Sequence, residues 1–326
     1  MVSFRIIRRA IPAVVLPCVA ALGACRDALA PDTHPGVELN RLGASQLRLA
    51  KAGDTVYGRN NNIRYFVGNG PIILLAPHGG PKGTSEWPAR RCGVNSNDVY
   101  APELARAMRL QIYRQTGRWP HLIENRLDRK YLDANRDVAE ATCGSSLAAI
   151  SWREYHTFVD SAKARTVARY GAALVLDVHG QSNDARINVG YSGLSGQELR
   201  RGRSTIEAQE ASSSIRHVSR RSPLTYERLV RGSHSFGSLL SAAGYRAIVG
   251  QRDSMPATAD TAEYRWGGYS VNRHGSRDGG TVSALLLENN RAVRSDLDLR
   301  ARYARDIVPR VLAPWMREHM GIEIRP

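Results

Sequence analysis

The chain lacks most of what would mark a nucleic-acid-binding, fibrous or membrane-spanning protein. Its 326 residues hold no internal repeat and no long low-complexity run, which excludes repeat and fibrous architectures. Cysteine is scarce: there are four, and none has the close spacing of a zinc knuckle or a redox CxxC pair. No apolar run is long enough to span a bilayer as a permanent helix. The formal charge is +16, with 46 Lys and Arg against 30 Asp and Glu, yet no basic helix, zinc-finger spacing or aromatic-basic ribonucleoprotein motif accompanies it. The basic residues are overwhelmingly Arg and lie scattered along the chain. They read as the habit of an Arg-rich proteome, so no nucleic-acid partner is expected. An acidic substrate or an anionic envelope surface fits the same charge.

The N-terminus is more specific. Arg5, Arg8 and Arg9 form a basic region, and Ile11 to Leu22 a short apolar one, the pattern of a signal peptide. It ends in Leu22-Gly23-Ala24-Cys25, which resembles the lipobox of bacterial lipoproteins. That resemblance implies cleavage before Cys25, lipidation of its thiol and anchoring of the chain in the cell envelope, on the periplasmic side. Two or three acyl chains hold a protein firmly on a membrane where one does not. The alternative is a conventional signal peptide with an incidental cysteine, and either reading exports the protein. Residues 1–24 are then the signal, 25–55 a tether containing Pro31, Pro35 and Gly36, and 56–326 the catalytic domain. Removing the signal takes away three positive charges and no acids, which moves the formal charge from +16 to +13. Cys92 and Cys143 remain as an even pair in an oxidising compartment and are expected to form a disulfide, two independent thiols being the alternative.

The hydrophobic pattern predicts strands over 63–67, 71–76, 121–124, 172–178, 245–249 and 282–287. Helices are expected over 99–115, 151–170, 235–243 and 295–319. Buried strands alternating with helices predict an α/β fold: a three-layer αβα arrangement around a central mixed, largely parallel sheet.

Two of those strands end in histidine followed by glycine: Ala76-Pro77-His78-Gly79-Gly80 and Leu176-Asp177-Val178-His179-Gly180. In open α/β sheets ligands bind at the C-terminal strand ends. One strand-end histidine is commonly a satisfied core residue, whereas two, each followed by glycine, point to a shared metal. A catalytic zinc takes three protein ligands, commonly imidazoles and a carboxylate, and Glu86 in the loop after His78 is the candidate third. Its alternative is a solvated loop glutamate. Asn135-Arg136 can grip a substrate carboxylate through the guanidinium fork, or form a salt-bridged loop. Glu288 ends the strand Leu285-Leu286-Leu287, where burial would raise its pKa into general-base range. Asp177 could orient a ligand or be a structural strand-end residue. Tyr269, in Trp266-Gly267-Gly268-Tyr269, and Arg273-His274-Gly275 are candidates for a loop lining the pocket.

The segments APHGGPKGTSEWPARRCG, LDRKYLDANRDVAEATCG, WREYHTFVDSAKARTVARYGAALVLDVHG and VSALLLENNRAVR resemble the N-formylglutamate amidohydrolase family, related to zinc carboxypeptidases and aspartoacylases. The resemblance covers roughly residues 70–290. It implies a carboxypeptidase-like hydrolase fold with zinc on His78, His179 and a third ligand, Glu86. It also implies Arg136 with Asn135, and Arg129, on the substrate carboxylate and Glu288 as base. In carboxypeptidases the ligand glutamate stands three residues after the histidine, where this chain has Pro81. The expected activity is cleavage of an N-acyl amino acid or small acidic peptide. A hydrolase of γ-glutamyl polymers or cell-wall peptides, and a binding lipoprotein that has lost the chemistry, are the alternatives.

Overall fold

A computed structural model describes residues 47–257 and 264–325. Cys25, the signal segment and most of the tether lie outside the described residues.

Eight strands form one mixed sheet: β1 (Thr55–Tyr57), β2 (Ile63–Phe66), β3 (Ile72–Ala76), β4 (His121–Asn125), β5 (Ala173–Gly180), β6 (Ile187–Gly190), β7 (Ala247–Ile248) and β8 (Val282–Asn289). Their order across the sheet is β1-β2-β4-β3-β5-β8-β6-β7. The four central strands, β4, β3, β5 and β8, are parallel; β2 and β6 flank them antiparallel. Parallel strands need crossovers, and the chain supplies helices for them. These are α1 (Ala101–Thr116) and α2 (Ser146–Tyr170), joined later by α3 (Phe236–Ala242), α4 (Tyr269–His274), α5 (Arg291–Ser295), α6 (Leu297–Ile307) and α7 (Ala313–Met320). The fold is thus the expected αβα sandwich.

Alternation along the strands divides the core into two layers. Ile72, Leu74, Leu174, Leu176, Leu285 and Leu287 face α1 and the C-terminal helices. Ile73, Leu75, Val175, Ala284 and Leu286 face α2, against Trp152, Tyr155, Phe158 and Val159. Because these strands are covered on both sides, they read in sequence as unbroken apolar runs. The same alternation fixes the outlook of the strand ends. His179 follows Ala173 and Val175, and Glu288 follows Ala284 and Leu286, so both belong to the α2 side of the sheet.

The expected C-terminal helix over 295–319 is divided. Asp296 caps a new helix by accepting from the Leu299 amide, and a π-turn over Val308–Leu312, with Pro309 inside it, separates α6 from α7. Proline removes an amide donor, which accounts for the break in the regular ladder. Among the described residues no helix is long and apolar enough to cross a membrane.

Candidate active site

The adjacent strands β3, β5 and β8 end at the same edge of the sheet, and each delivers a titratable side chain there. His78 follows β3, while His179 and Glu288 are register partners on β5 and β8. Gly79 makes the turn after His78 possible. Its φ is +95°, and a Cβ there would stand 2.4 Å from the Asp98 carbonyl oxygen. The loop that leaves β3 consequently folds back on its own end, bringing Asp98, just ahead of α1, over the two histidines.

Asp98, His78 and His179 are all buried, and their ligand atoms lie within 4.8 Å of one another. Asp98 Oδ2 is 2.9 Å from His179 Nδ1 and 3.3 Å from His78 Nδ1, and it accepts from the Gly180 amide at 3.2 Å. The far nitrogens face other groups. His78 Nε2 bonds Asp133 Oδ1 at 2.6 Å. His179 Nε2 has the Asn135 amide group at 3.2 Å and Asp177 Oδ2 at 3.0 Å, the latter not aligned for a hydrogen bond. Burial favours the neutral imidazole of His179, but Asp177 and Asp98 outweigh it and hold its pKa well above the ordinary value. Burial likewise pushes Asp98 and Asp133 up; His78 and His179 overcome it at Asp98, and His78 with Arg129 and Arg136 overcomes it at Asp133.

This donor set fits a divalent metal ion. Two imidazole Nδ1 atoms and a carboxylate converge. The distal nitrogen of His78 is hydrogen-bonded to the buried Asp133 carboxylate, the arrangement that fixes the tautomer of a metal-ligating histidine, while that of His179 has the Asn135 amide group at 3.2 Å and the Asp177 carboxylate nearby. Four buried carboxylates, Asp98, Asp133, Asp177 and Glu288, surround the two rings. Arg129 and Arg90 pair with Asp133, and Arg265 approaches Glu288.

Glu86 and Tyr269 sit elsewhere than expected, whereas Arg129, Asn135 and Arg136 line the cavity as expected but are engaged with protein partners. Glu86 is not with the histidines: it pairs with Arg59 and accepts from Asn60 Nδ2 at 2.9 Å. Arg59 stands in the turn between β1 and β2 and takes up the Glu86 charge, so the acid beside the histidines is Asp98. Arg129 is buried, donating from Nε to Asp133 Oδ2 at 2.8 Å and from Nη1 to the Ser96 carbonyl. It steadies the carboxylate that holds His78, and its fork is largely occupied. Asn135 is spent on His179 and on the Ser270 amide, whose hydrogen its Oδ1 accepts at 2.8 Å. Arg136 reaches the cavity wall with Nε on Glu140 at 3.0 Å and Nη1 on the Asn135 carbonyl. Tyr269 packs against Trp152 and His156 and is not among the residues lining the cavity. His274 lies in the same aromatic layer, 2.9 Å from His156.

Glu288 opens onto a cavity of ≈ 650 Å³ whose wall also includes His78, Asp98, His179, Arg136 and Arg265. Among the described residues its buried Oε2 has no hydrogen-bond partner, and Arg265 Nε is 3.8 Å from Oε1. Burial raises the Glu288 pKa, His179 opposes it and Asp98 adds to it. Arg265, half-exposed, Asp98 and Asp133 are site residues with no expectation from sequence. Arg265 is one cation among many Arg, and Asp98 lies in a polar loop with no distinguishing pattern.

Cys92 and Cys143 form a disulfide with Cα atoms 6.0 Å apart. It ties the loop after His78 to the segment that follows Asn135-Arg136.

No family model matches the chain, and no curated protein is significantly similar to it in sequence. Among solved structures it is similar to N-formylglutamate amidohydrolase from Ralstonia eutropha JMP134, with a TM-score of 0.49 and 15% identity over 80% of this chain and 99% of that one. It is also similar to gene product Atu2144 from Agrobacterium tumefaciens, with a TM-score of 0.46 and 12% identity over 78% and 94%. Likenesses this remote carry no argument about activity, which rests on the side chains.

Proposed function

We propose that this chain is a metal-dependent amidohydrolase, with zinc the expected ion, cleaving the amide bond of an N-acyl amino acid or small acidic peptide. The observation that carries the reading is the convergence of His78 Nδ1, His179 Nδ1 and Asp98, with a carboxylate behind each ring. These three residues would hold the ion. A zinc ion there supplies Lewis acidity, polarising a carbonyl and acidifying water. Glu288 is the general base: its carboxyl, with Oε2 free of hydrogen bonds among the described residues, lies beside His179, and burial favours the protonated form it would take after accepting a proton from water. The same carboxyl then returns the proton to the leaving nitrogen. Arg136 and Arg265 place positive charge on the cavity wall, which suits a substrate carrying a carboxylate. Lipidation at Cys25 would hold the enzyme on the envelope membrane, where acidic or N-acylated small molecules and peptides are its substrates.

The test is metal analysis of the purified protein, followed by chelation and restoration during a screen of N-acyl amino acids and γ-linked peptides. Hydrolysis that disappears with the chelator and returns with zinc is the expected result. Hydrolysis that survives complete metal removal would overturn the reading, and bound metal without turnover of any amide would leave a binding protein. Mass spectrometry of the N-terminal peptide reads the lipid, and Cys25→Ala should release the protein from the membrane fraction.

A further inference from the structure

Immediately after β8 the chain makes the single turn α5, and Arg294 of that turn is 4% exposed. Its guanidinium points back under the strand ends and donates to three backbone carbonyls. Nε bonds the Asn289 oxygen at 3.1 Å, Nη2 the Gln181 oxygen at 3.0 Å, and Nη1 the Val99 oxygen. Asn289 directly follows Glu288, Val99 directly follows Asp98, and Gln181 lies two residues past His179. One side chain thus touches the three separate segments that carry the proposed base and two of the proposed ligands. Among the described residues Arg294 has no carboxylate within ion-pair distance. A buried guanidinium without a carboxylate must be satisfied by hydrogen bonds, and here the carbonyls supply them. Its own backbone is held in turn, since its carbonyl accepts from Arg300 Nη1 at 2.8 Å. Gly180 completes the arrangement. Its amide donates to Asp98, and a Cβ in its place would come within 2.3–2.6 Å of the guanidinium atoms.

We propose that Arg294 is a positioning residue for the candidate metal centre, fixing Asp98 and His179 relative to each other, and Glu288 beside them, by clamping the backbone next to each. This rests on the metal-centre reading above. The role requires the flat, three-way fork of arginine. Lysine keeps the charge but presents a point donor on a single stem and cannot reach three carbonyls in different directions.

The experiment compares zinc dissociation constants, by competition with a chromophoric chelator, in the wild type, Arg294→Lys, Arg294→Met and Gly180→Ala. Circular dichroism checks folding, and binding is measured far below the melting temperature of each variant. Residues that orient ligands are typically worth about 10–100-fold in metal affinity. We expect losses in that range for both Arg294 variants, with Lys little better than Met. Gly180→Ala retains the arginine but displaces it, so it should lose affinity in the same direction. A residue that merely stabilised the fold would lower the melting temperature of the metal-free protein without moving the dissociation constant. Affinity within about twofold of wild type in Arg294→Lys would overturn the proposal. Should neither Arg294 variant fold, unchanged affinity in Gly180→Ala overturns it instead. A wild type that binds no metal overturns the metal-centre reading and this inference with it, whereas a binding wild type with unaffected variants overturns this inference alone.

Discussion

Asp98 Oδ2 lies 2.9 Å from His179 Nδ1 although 81 residues separate them in the chain. The contact exists because the loop after β3 folds back at Gly79 and ends at α1 beside the tip of β5. A carboxylate at the end of that loop reaches both histidines, while Glu86, within it, is taken by Arg59 on the far side.

The first prediction follows from that division. Asp98→Asn keeps the shape of the side chain but removes the anionic donor, and it should lower metal stoichiometry or affinity by at least an order of magnitude, as loss of a ligand does. Glu86→Gln should leave metal content unchanged and cost no more than a surface ion pair, about 1 kcal/mol or less. Metal analysis of the two proteins prepared in parallel reads the result. Equal metal content in both would remove Asp98 from the ligand set.

Much of the fold was legible because β3, β5 and β8 are buried on both faces and therefore appear as apolar runs. The positions of His78, His179 and Glu288 at the strand ends followed from those runs. What could not be read was pairing. Asp98 stands in Val94-Asn95-Ser96-Asn97-Asp98, where no periodicity separates a ligand from a solvated acid. Residue type makes Asn135 a candidate substrate grip and the family resemblance adds Arg129, but their partners, His179 and Asp133, are set by how the 126–136 segment packs at the site. Strands β1 and β6 do not show in the sequence because three or four residues give too little alternation to detect, whereas β7 falls within the strand expected over 245–249.

Glu288→Gln should abolish turnover while the protein still binds metal. The substitution preserves shape and removes the proton acceptor, and general-base catalysis is typically worth about 10²–10⁴ in rate. Steady-state kinetics with any substrate found by the screen, set beside metal analysis of the same preparation, checks it. Activity within tenfold of wild type would move the base elsewhere.

The disulfide closes a separation of 51 residues between Cys92 and Cys143. Loop-closure entropy for that length corresponds to about 4 kcal/mol, as an upper figure, because the unfolded chain retains structure. Changing both cysteines to serine should therefore lower the melting temperature by several degrees. The proposed metal centre would be held by the sheet edge and by Arg294, so zinc content should be retained. Loss of zinc in a folded Cys92→Ser/Cys143→Ser protein would mean that the disulfide, rather than the sheet edge, positions Asp98.

The last prediction concerns Glu154, on α2 and away from the cavity. Its Oε1 accepts from the Arg59 amide at 2.8 Å, while its buried Oε2 has no hydrogen-bond partner among the described residues. Burial raises its pKa from 4.5 to about 7, against the opposing pull of the Arg59 amide and of the Arg59 and Arg153 charges. A folded-state pKa above the unfolded one means that the native state holds the proton more tightly. The stabilising contribution is fully present below about pH 4.5 and is lost as pH rises through about 7, leaving a penalty that is constant above it. Across that window the change amounts to about 3 kcal/mol at most. Glu154→Gln can still accept from the Arg59 amide but never ionises. Its melting temperature should match wild type near pH 4.5, exceed it by several degrees at pH 8, and separate from it progressively in between. Thermal unfolding of both proteins across that range decides the matter, and two parallel curves would mean that Glu154 is solvated or paired when charged.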